Sequence, residues 1–224
     1  MKSRITKTVA LAALMAGTAG VAHATEGWYG RADIGWSFDG NIDNGDDSNG
    51  YAWNSPTLEH DWTESMGLGY AFSNGFRLEG EIGHRFNQMS TETHIADGDV
   101  HAWSAMANLY YDFNRGGALE PYVGVGAGVA RLNFDATDGI PPPWFIHGDD
   151  TVFAWQAMIG VAANITDQLD LDIAFRHFEA DGAEYDADHS GVHYTGQSDY
   201  EHEAITVGLR YQFQGPPPPP PPPP

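Results

Sequence analysis

The chain has 224 residues, no cysteine, and 31 acidic residues against 10 lysines and arginines, for a formal charge of −21. Disulfide scaffolds, thiolate metal sites and cysteine lipidation are thereby excluded, and so is a nucleic-acid partner, which needs clustered basic residues. A charged content of 18% with 27 glycines and 12% aromatic residues suits strands and tight turns, not helices.

Residues 1–24 read as an export signal. Lys2, Arg4 and Lys7 precede an apolar run from Val9 to Val21, and Ala22-His23-Ala24 supplies the small residues that a signal peptidase reads, predicting cleavage before Thr25. The run is shorter than the roughly 20 residues a spanning helix needs. Beyond it every basic residue is an arginine and no apolar run suffices for a spanning helix, so a membrane-embedded chain must close into a barrel.

Period-two alternation predicts eight strands: Gly27–Phe38, Asp61–Phe72, Phe76–Asn87, Val100–Phe113, Pro121–Leu132, Thr151–Asn164, Leu169–Glu179 and Glu201–Phe213. Each is long enough to cross a bilayer as a tilted strand, which takes about 9–11 residues. Short connections (Ser73–Gly75, Asn114–Glu120, Ile165–Gln168) alternate with long ones (Asp39–His60, Gln88–Asp99, Asn133–Asp150, Ala180–Tyr200). The expected fold is all-β, an eight-stranded antiparallel up-and-down transmembrane β-barrel. Short turns and both termini face the periplasm, and long loops face outside.

A soluble eight-stranded barrel has an apolar interior, whereas here the charges gather on one face of the strands. Arg31, Asp33, Arg77, Glu79, Glu81, Arg85, Asp112, Asp170, Asp172, Arg176 and Arg210 share it. A basic residue at the lipid midplane costs about 2–4 kcal/mol, so this face is predicted to line the lumen as an ion-pair network. The other face is apolar with aromatics towards its ends (Trp36, Tyr70, Phe86, Tyr111, Phe213), as interfacial girdles require. His84 and His177 interrupt it late in ascending strands, where an interfacial imidazole reaching water is favoured over a lipid-headgroup site.

The sequence resembles the OmpA-type outer-membrane β-barrel family over residues 25–213. The resemblance rests on the signal peptide, on Gly27-Trp28-Tyr29-Gly30-Arg31-Ala32-Asp33-Ile34-Gly35, on Pro121-Tyr122-Val123-Gly124-Val125-Gly126-Ala127-Gly128, and on the closing Val207-Gly208-Leu209-Arg210-Tyr211-Gln212-Phe213. It implies that Tyr211 and Phe213 belong to a terminal-strand signal read by the barrel-assembly machinery, and that outer-membrane lipid and lipopolysaccharide surround the protein. Residues 214–224 form a proline-rich linker or tail whose nine prolines, Pro216–Pro224, extend about 3.1 Å each, roughly 28 Å in all. In that family such a linker leads to a domain that holds peptidoglycan. The resemblance therefore implies a non-enzymatic, envelope-stabilising role without a cofactor, with peptidoglycan as a partner if a downstream domain exists.

Other chemistry is weaker. Gly124–Gly128 has the glycine spacing of a dinucleotide loop, but alternation runs straight through it. Its glycines are expected to make room in the lumen for neighbouring arginines. Asp39, Asn41 and Asp43 stand at positions 1, 3 and 5 of an EF-hand-like loop that lacks its glycine at position 6 and its glutamate at position 12, so a solvated loop is favoured over calcium. His189 and His193 have a metal-compatible spacing within an acidic loop expected to be irregular. That loop is expected to repel its neighbours and share divalent cations with lipopolysaccharide. A stand-alone surface barrel, or a small pore opened by Arg77→Ala or Glu79→Ala, is the alternative function. A lipid A-modifying enzyme using Ser65, Glu64, His84 or His177 is weaker, because Ser65 and the histidines have opposite parity.

Overall fold

A computed structural model describes residues 26–44, 57–58, 61–90, 95–115, 117–138 and 143–214. Residues 1–24 and the proline run lie outside the described residues. In chain order the strands are β1 (Gly27–Asn44), the two-residue β2 (Thr57–Leu58), β3 (Trp62–Ala71), β4 (Phe76–Ser90), β5 (Ile95–Asp112), β6 (Leu119–Asp138), β7 (Trp144–Asn164), β8 (Leu169–His189) and β9 (Val192–Gln212). The eight long strands form an antiparallel ring, each paired with its sequence neighbour. β1 closes it against β9, from Tyr29↔Gln212 to Asn44↔Ser198 with an irregularity at Ser37/Asp39. β2 bridges β1 and β4 beside the ring.

Over the band that β3 spans, closure leaves no strand with an unpaired edge, and the pleat then divides side chains between two environments. Outside lie Ile34, Met66, Leu78, Ile82, Val125, Val207 and Leu209; Met66 is 71% exposed and Ile82 60%. Inside lie arginines, carboxylates and amides that are almost wholly buried. This inversion of a soluble barrel suits a hydrocarbon surround. Aromatic contacts mark the end carrying the short turns: Trp28 with Tyr70 (5.5 Å), Phe76 with Tyr111 (5.0 Å) and Tyr211 with Phe213 (5.8 Å). Further up the wall Trp36 meets Trp62 at 5.0 Å.

The strands run past the predicted segments. β8 and β9 have 21 residues each and continue through the stretch expected to be an irregular loop, joined only by Ser190 and Gly191. Both turn residues have positive φ (50° and 79°), the conformation of a type I′ turn, whose twist matches the flanking strands. β6 and β7 likewise extend to Asp138 and from Trp144, and β4 and β5 to Ser90 and from Ile95. Hydrophobic alternation records only the apolar band. Beyond it the outer face turns polar while the inner one stays buried, as at Phe134, Ala136, Ala183 and Ala187, so pairing continues without the apolar-out rhythm that marks the band.

The glycines expected to make room for arginines face other groups: Gly124 meets Tyr110, Gly126 meets Asn108 and Gln156, and Gly128 lies against Met106, while further glycines of the wall face tyrosines. Tyr29 lies directly across from Gly69, Tyr110 from Gly124 and Tyr122 from Gly160. A Cβ at Gly69 or Gly160 would come within 2.5 Å of the facing ring, and one at Gly124 within 2.4 Å of Tyr110. Each ring therefore lies flat across the neighbouring strand where a side chain would otherwise stand. Gly124→Val is expected to displace Tyr110 and lower stability by about 1–3 kcal/mol, read as an earlier urea midpoint for the heat-modifiable folded band on a denaturing gel.

Candidate functional site

The lumen is filled in two storeys. Towards the short turns, Arg210 reaches Asp170 (2.9 Å) and Glu120, and Arg77 makes a forked contact to Asp112 (Nη2–Oδ1 2.8 Å). The Arg77 guanidinium lies over the Tyr110 ring at 4.4 Å, with Tyr122 at 5.0 Å and Tyr29 at 5.5 Å. Above it Arg31 contacts Asp33 at 2.8 Å and Glu79 and Glu81 at 2.7 Å each, and Arg176 contacts Glu81 (3.0 Å) and Asp33 (3.3 Å). Amides and hydroxyls take up remaining lone pairs. Asn108 donates to Glu81 at 3.0 Å, Gln156 to Glu81 at 3.1 Å, Tyr110 to Glu79 at 3.1 Å, and Ser65 to Asp33 at 2.9 Å.

All eleven sequence-predicted lumen residues are buried. Two of them stand apart from the ion pairs. Arg85 donates to Ser104 (2.8 Å) and lies 3.6 Å over the Phe178 ring. Asp172 accepts a 2.6 Å hydrogen bond from Tyr122, and its Oδ2, like Oδ1 of Asp33, has no hydrogen-bonding group within reach among the described residues. Glu120, placed by the sequence in a connection, is the first acid of β6 and joins Arg210. Its signal lay in Pro121, whose parity with Val123 already set Glu120 on the inner face.

The upper storey was not anticipated. Val100, Ala102, Met106, Leu132, Phe134, Ala154, Phe178, Ala180 and Tyr200 pack together inside the barrel at the end bearing the long connections. Within it Tyr200 donates to Asn87 at 2.6 Å, level with Val100. These residues have inward parity in the sequence, but their type alone does not set them apart from the apolar residues of the outer face.

The remaining candidates are dispersed. Asp39, Asn41 and Asp43 lie in β1, their backbones paired with Glu203, Glu201 and Asp199, so the chain there is extended strand without the coiled loop a calcium site requires. His189 pairs with Val192 and Asp188 with His193. His189 and His193 therefore project from opposite faces of the hairpin and do not converge on one ion. His193 instead holds Asp188 (3.0 Å) and Asp186 (3.3 Å). Ser65 points into the lumen, whereas Glu64 meets His84 on the outer surface at 3.3 Å. No nucleophile–base contact joins them. His177 lies outside between Glu203 (3.5 Å) and Glu179 (3.7 Å), against Trp155. Tyr211 and Phe213 face outwards at the foot of β9.

A closed ring with an apolar exterior and a charged lumen is matched by sequence comparison over residues 9–213. The chain belongs to the outer membrane protein beta-barrel domain family. An uncharacterized protein of Brucella abortus strain 2308 is 26% identical over 245 aligned positions, covering 85% of this chain and 86% of the relative. Outer membrane protein PagN of Salmonella typhimurium is 28% identical over 48% of each chain. Among solved structures, the outer membrane protein OprG of Pseudomonas aeruginosa superposes with a TM-score of 0.60 at 14% identity, over 87% of this chain and 99% of that one. The likeness to OprG is one of fold.

Family membership places this barrel in the outer membrane, where its lumen contacts acquire energetic weight. Glu81→Ala removes the carboxylate that both Arg31 and Arg176 contact and leaves buried charge uncompensated, a cost of about 3–5 kcal/mol. Urea unfolding in lipid vesicles is expected to show it, with Arg131→Ala, which breaks the exposed 2.5 Å pair with Asp149, leaving the midpoint unchanged. In the β8–β9 hairpin, the hydrogen bond from His193 to Asp188, aided by Asp186, holds the imidazole above its ordinary 6.5. A raised folded value means that the contribution to the hairpin is full below the unfolded value and is lost as pH rises through the folded one. Histidine NMR titration is expected to show His193 titrating later than in a free peptide, and Asp188→Asn to bring it back.

Proposed function

We propose that this protein is a closed, non-enzymatic structural barrel that holds a proline-rich periplasmic extension at the outer membrane, as OmpA-type barrels do. The observation that carries the reading is the double closure of the lumen, by ion pairs below and by an apolar cluster above. An eight-stranded ring is only wide enough for its side chains, and here both kinds of filling are present. No water path is needed by an anchor, whereas a pore requires one.

The orientation proposed has the short turns and both termini in the periplasm, with the long hairpins outside. Its support is that Gly27 and Gln212 lie at the short-turn end, where the Phe213 amide donates to the Trp28 carbonyl. The proline run then begins on the periplasmic side and serves as a semi-rigid spacer. Tyr211 and Phe213 present the terminal aromatic pair to the assembly machinery, and the acidic hairpins share divalent cations with lipopolysaccharide. If a domain follows the spacer, peptidoglycan is its partner.

Native protein extracted from its own membrane is expected to co-sediment with peptidoglycan sacculi, and a version ending at Gln214 to stay in the supernatant. Failure of the native protein to sediment overturns the anchoring role. In planar bilayers the wild type is expected to be silent. Because the apolar cluster closes the upper half independently, Arg77→Ala alone is expected to stay silent too, contrary to the reading from charges alone, and Arg77→Ala with Phe178→Ala to conduct. Steady wild-type channels would favour a pore.

A further inference from the structure

In the lumen, one strand to either side of β9, two carboxylates are each served on one oxygen only. Asp33 Oδ2 takes Arg31 Nη1 at 2.8 Å, Ser65 Oγ at 2.9 Å and Arg176 Nη2 at 3.3 Å, while its Oδ1 takes nothing among the described residues. Asp172 Oδ1 accepts from Tyr122 at 2.6 Å, and its Oδ2 takes nothing among them either. Arg176 Nε is likewise a buried donor with no acceptor among the described residues. We propose that Asp33 Oδ1, Asp172 Oδ2 and Arg176 Nε together bind one water molecule, sealed in the lumen over Gly208, which ties β1 to β8 across β9.

Register brings the three atoms to one place. Asp33 on β1 and Asp172 on β8 are both direct cross-strand neighbours of Gly208. Their Cα atoms are therefore two strand spacings apart, about 9–10 Å. Gly208 presents no side chain between them, and Asp33 leans over it, so that a Cβ there would collide with Oδ1. Asp172 acts on Asp33 through space as a like charge. Arg176 follows Asp172 by four residues on the same face of β8, and its guanidinium comes down to Asp33. Nε shares the guanidinium carbon with the Nη2 that makes this contact, so its N–H belongs to the same corner of the lumen.

Two bare acceptors and one bare donor select the ligand. An anion would face two carboxylate oxygens. A metal ion or an ammonium group would face the N–H of Arg176, and a guanidinium has donors only. Water supplies both roles in a small volume: its two O–H groups donate to Asp33 and Asp172, and a lone pair accepts from Arg176. Two hydrogen bonds of about 2.8 Å at the angle of a water molecule span about 4.5 Å between acceptors. That length suits carboxyl groups leaning together from strands about 9–10 Å apart, and three hydrogen bonds are usual for a buried water. The surroundings are closed, with Asp172 1% exposed and Asp33 and Arg176 4% each. Because β1 meets β9 only when the ring shuts, the site comes into being at closure and its water is retained from that step.

The inference is independent of the anchoring role. The test is a crystal structure of the full chain at a resolution that shows ordered water, joined to oxygen-17 relaxation dispersion of the folded protein in detergent micelles, which counts long-lived internal water. One peak is expected within about 2.6–3.2 Å of Asp33 Oδ1, Asp172 Oδ2 and Arg176 Nε. Gly208→Ala, whose Cβ takes the place of the water, and Asp172→Val, which removes one acceptor, are each expected to lose that peak and one long-lived water from the count. Ser65→Ala, which touches only the occupied oxygen of Asp33, is expected to keep both. The wild type carries the decisive observation, so a variant that does not fold leaves the test intact. Direct contact between Asp33 Oδ1 and Asp172 Oδ2 would mean a shared proton and overturns the proposal. So does an anomalous-scattering peak at the site, which would mean a metal ion, or a wild-type lumen with no peak there at all.

Discussion

The interior of a bilayer offers no hydrogen-bonding partner, so every backbone amide and carbonyl that enters it must be satisfied by the chain itself. For a sheet this means closure, and here closure is the pairing of β1 with β9, the first and last strands of the described residues. Once the ring is closed its circumference is fixed, and so is the space inside. Eight strands leave room for side chains and little else. The alternation of the sequence, the contents of the lumen and the position of the aromatic residues are consequences of that geometry.

A narrow lumen lined by long charged side chains creates a crowding problem, and the cross-strand pairing of tyrosine with glycine addresses it. Tyr29, Tyr110 and Tyr122 each cover a facing glycine and lie along the wall, where they form the aromatic bed on which the Arg77 guanidinium rests. Had Gly124 or Gly160 carried a Cβ, the rings would stand into the lumen and occupy the volume that the guanidinium groups need. The glycines and the arginines are thus linked, but through the tyrosines.

The barrel and the identity of its inner face were legible because hydrocarbon outside and a crowded polar lumen inside impose strict alternation, as in Ile34, Trp36 and Phe38 against Arg31 and Asp33. Above the apolar band the outer face turns polar, as at Asp135 and Glu184, and the same strands continue without the apolar-out rhythm, so their extension was invisible. The apolar lid had the correct parity, yet Phe178 and Tyr200 read as ordinary strand residues until register brought them together. The contact between His84 and His101 on the outer surface was hidden for another reason. His84 and His101 are 17 residues apart on different strands, and only the stagger between β4 and β5 makes them neighbours.

Register also explains why the lumen keeps so many buried charges when buried ion pairs add little to stability over well-packed apolar groups. A strand that slips by one residue relative to its neighbour turns every side chain to the opposite face. For β4 a slip would carry Arg77, Glu79, Glu81 and Arg85 into lipid and bring Leu78 and Ile82 inside. Each arginine so displaced costs about 2–4 kcal/mol at the bilayer midplane, and each leaves its carboxylate partner unpaired behind it. An apolar lumen would accept the slipped register at little cost, since both faces would then be greasy. The charged network thus acts chiefly against the wrong pairings, and the apolar lid can be tolerated above it because the strands beneath are already locked.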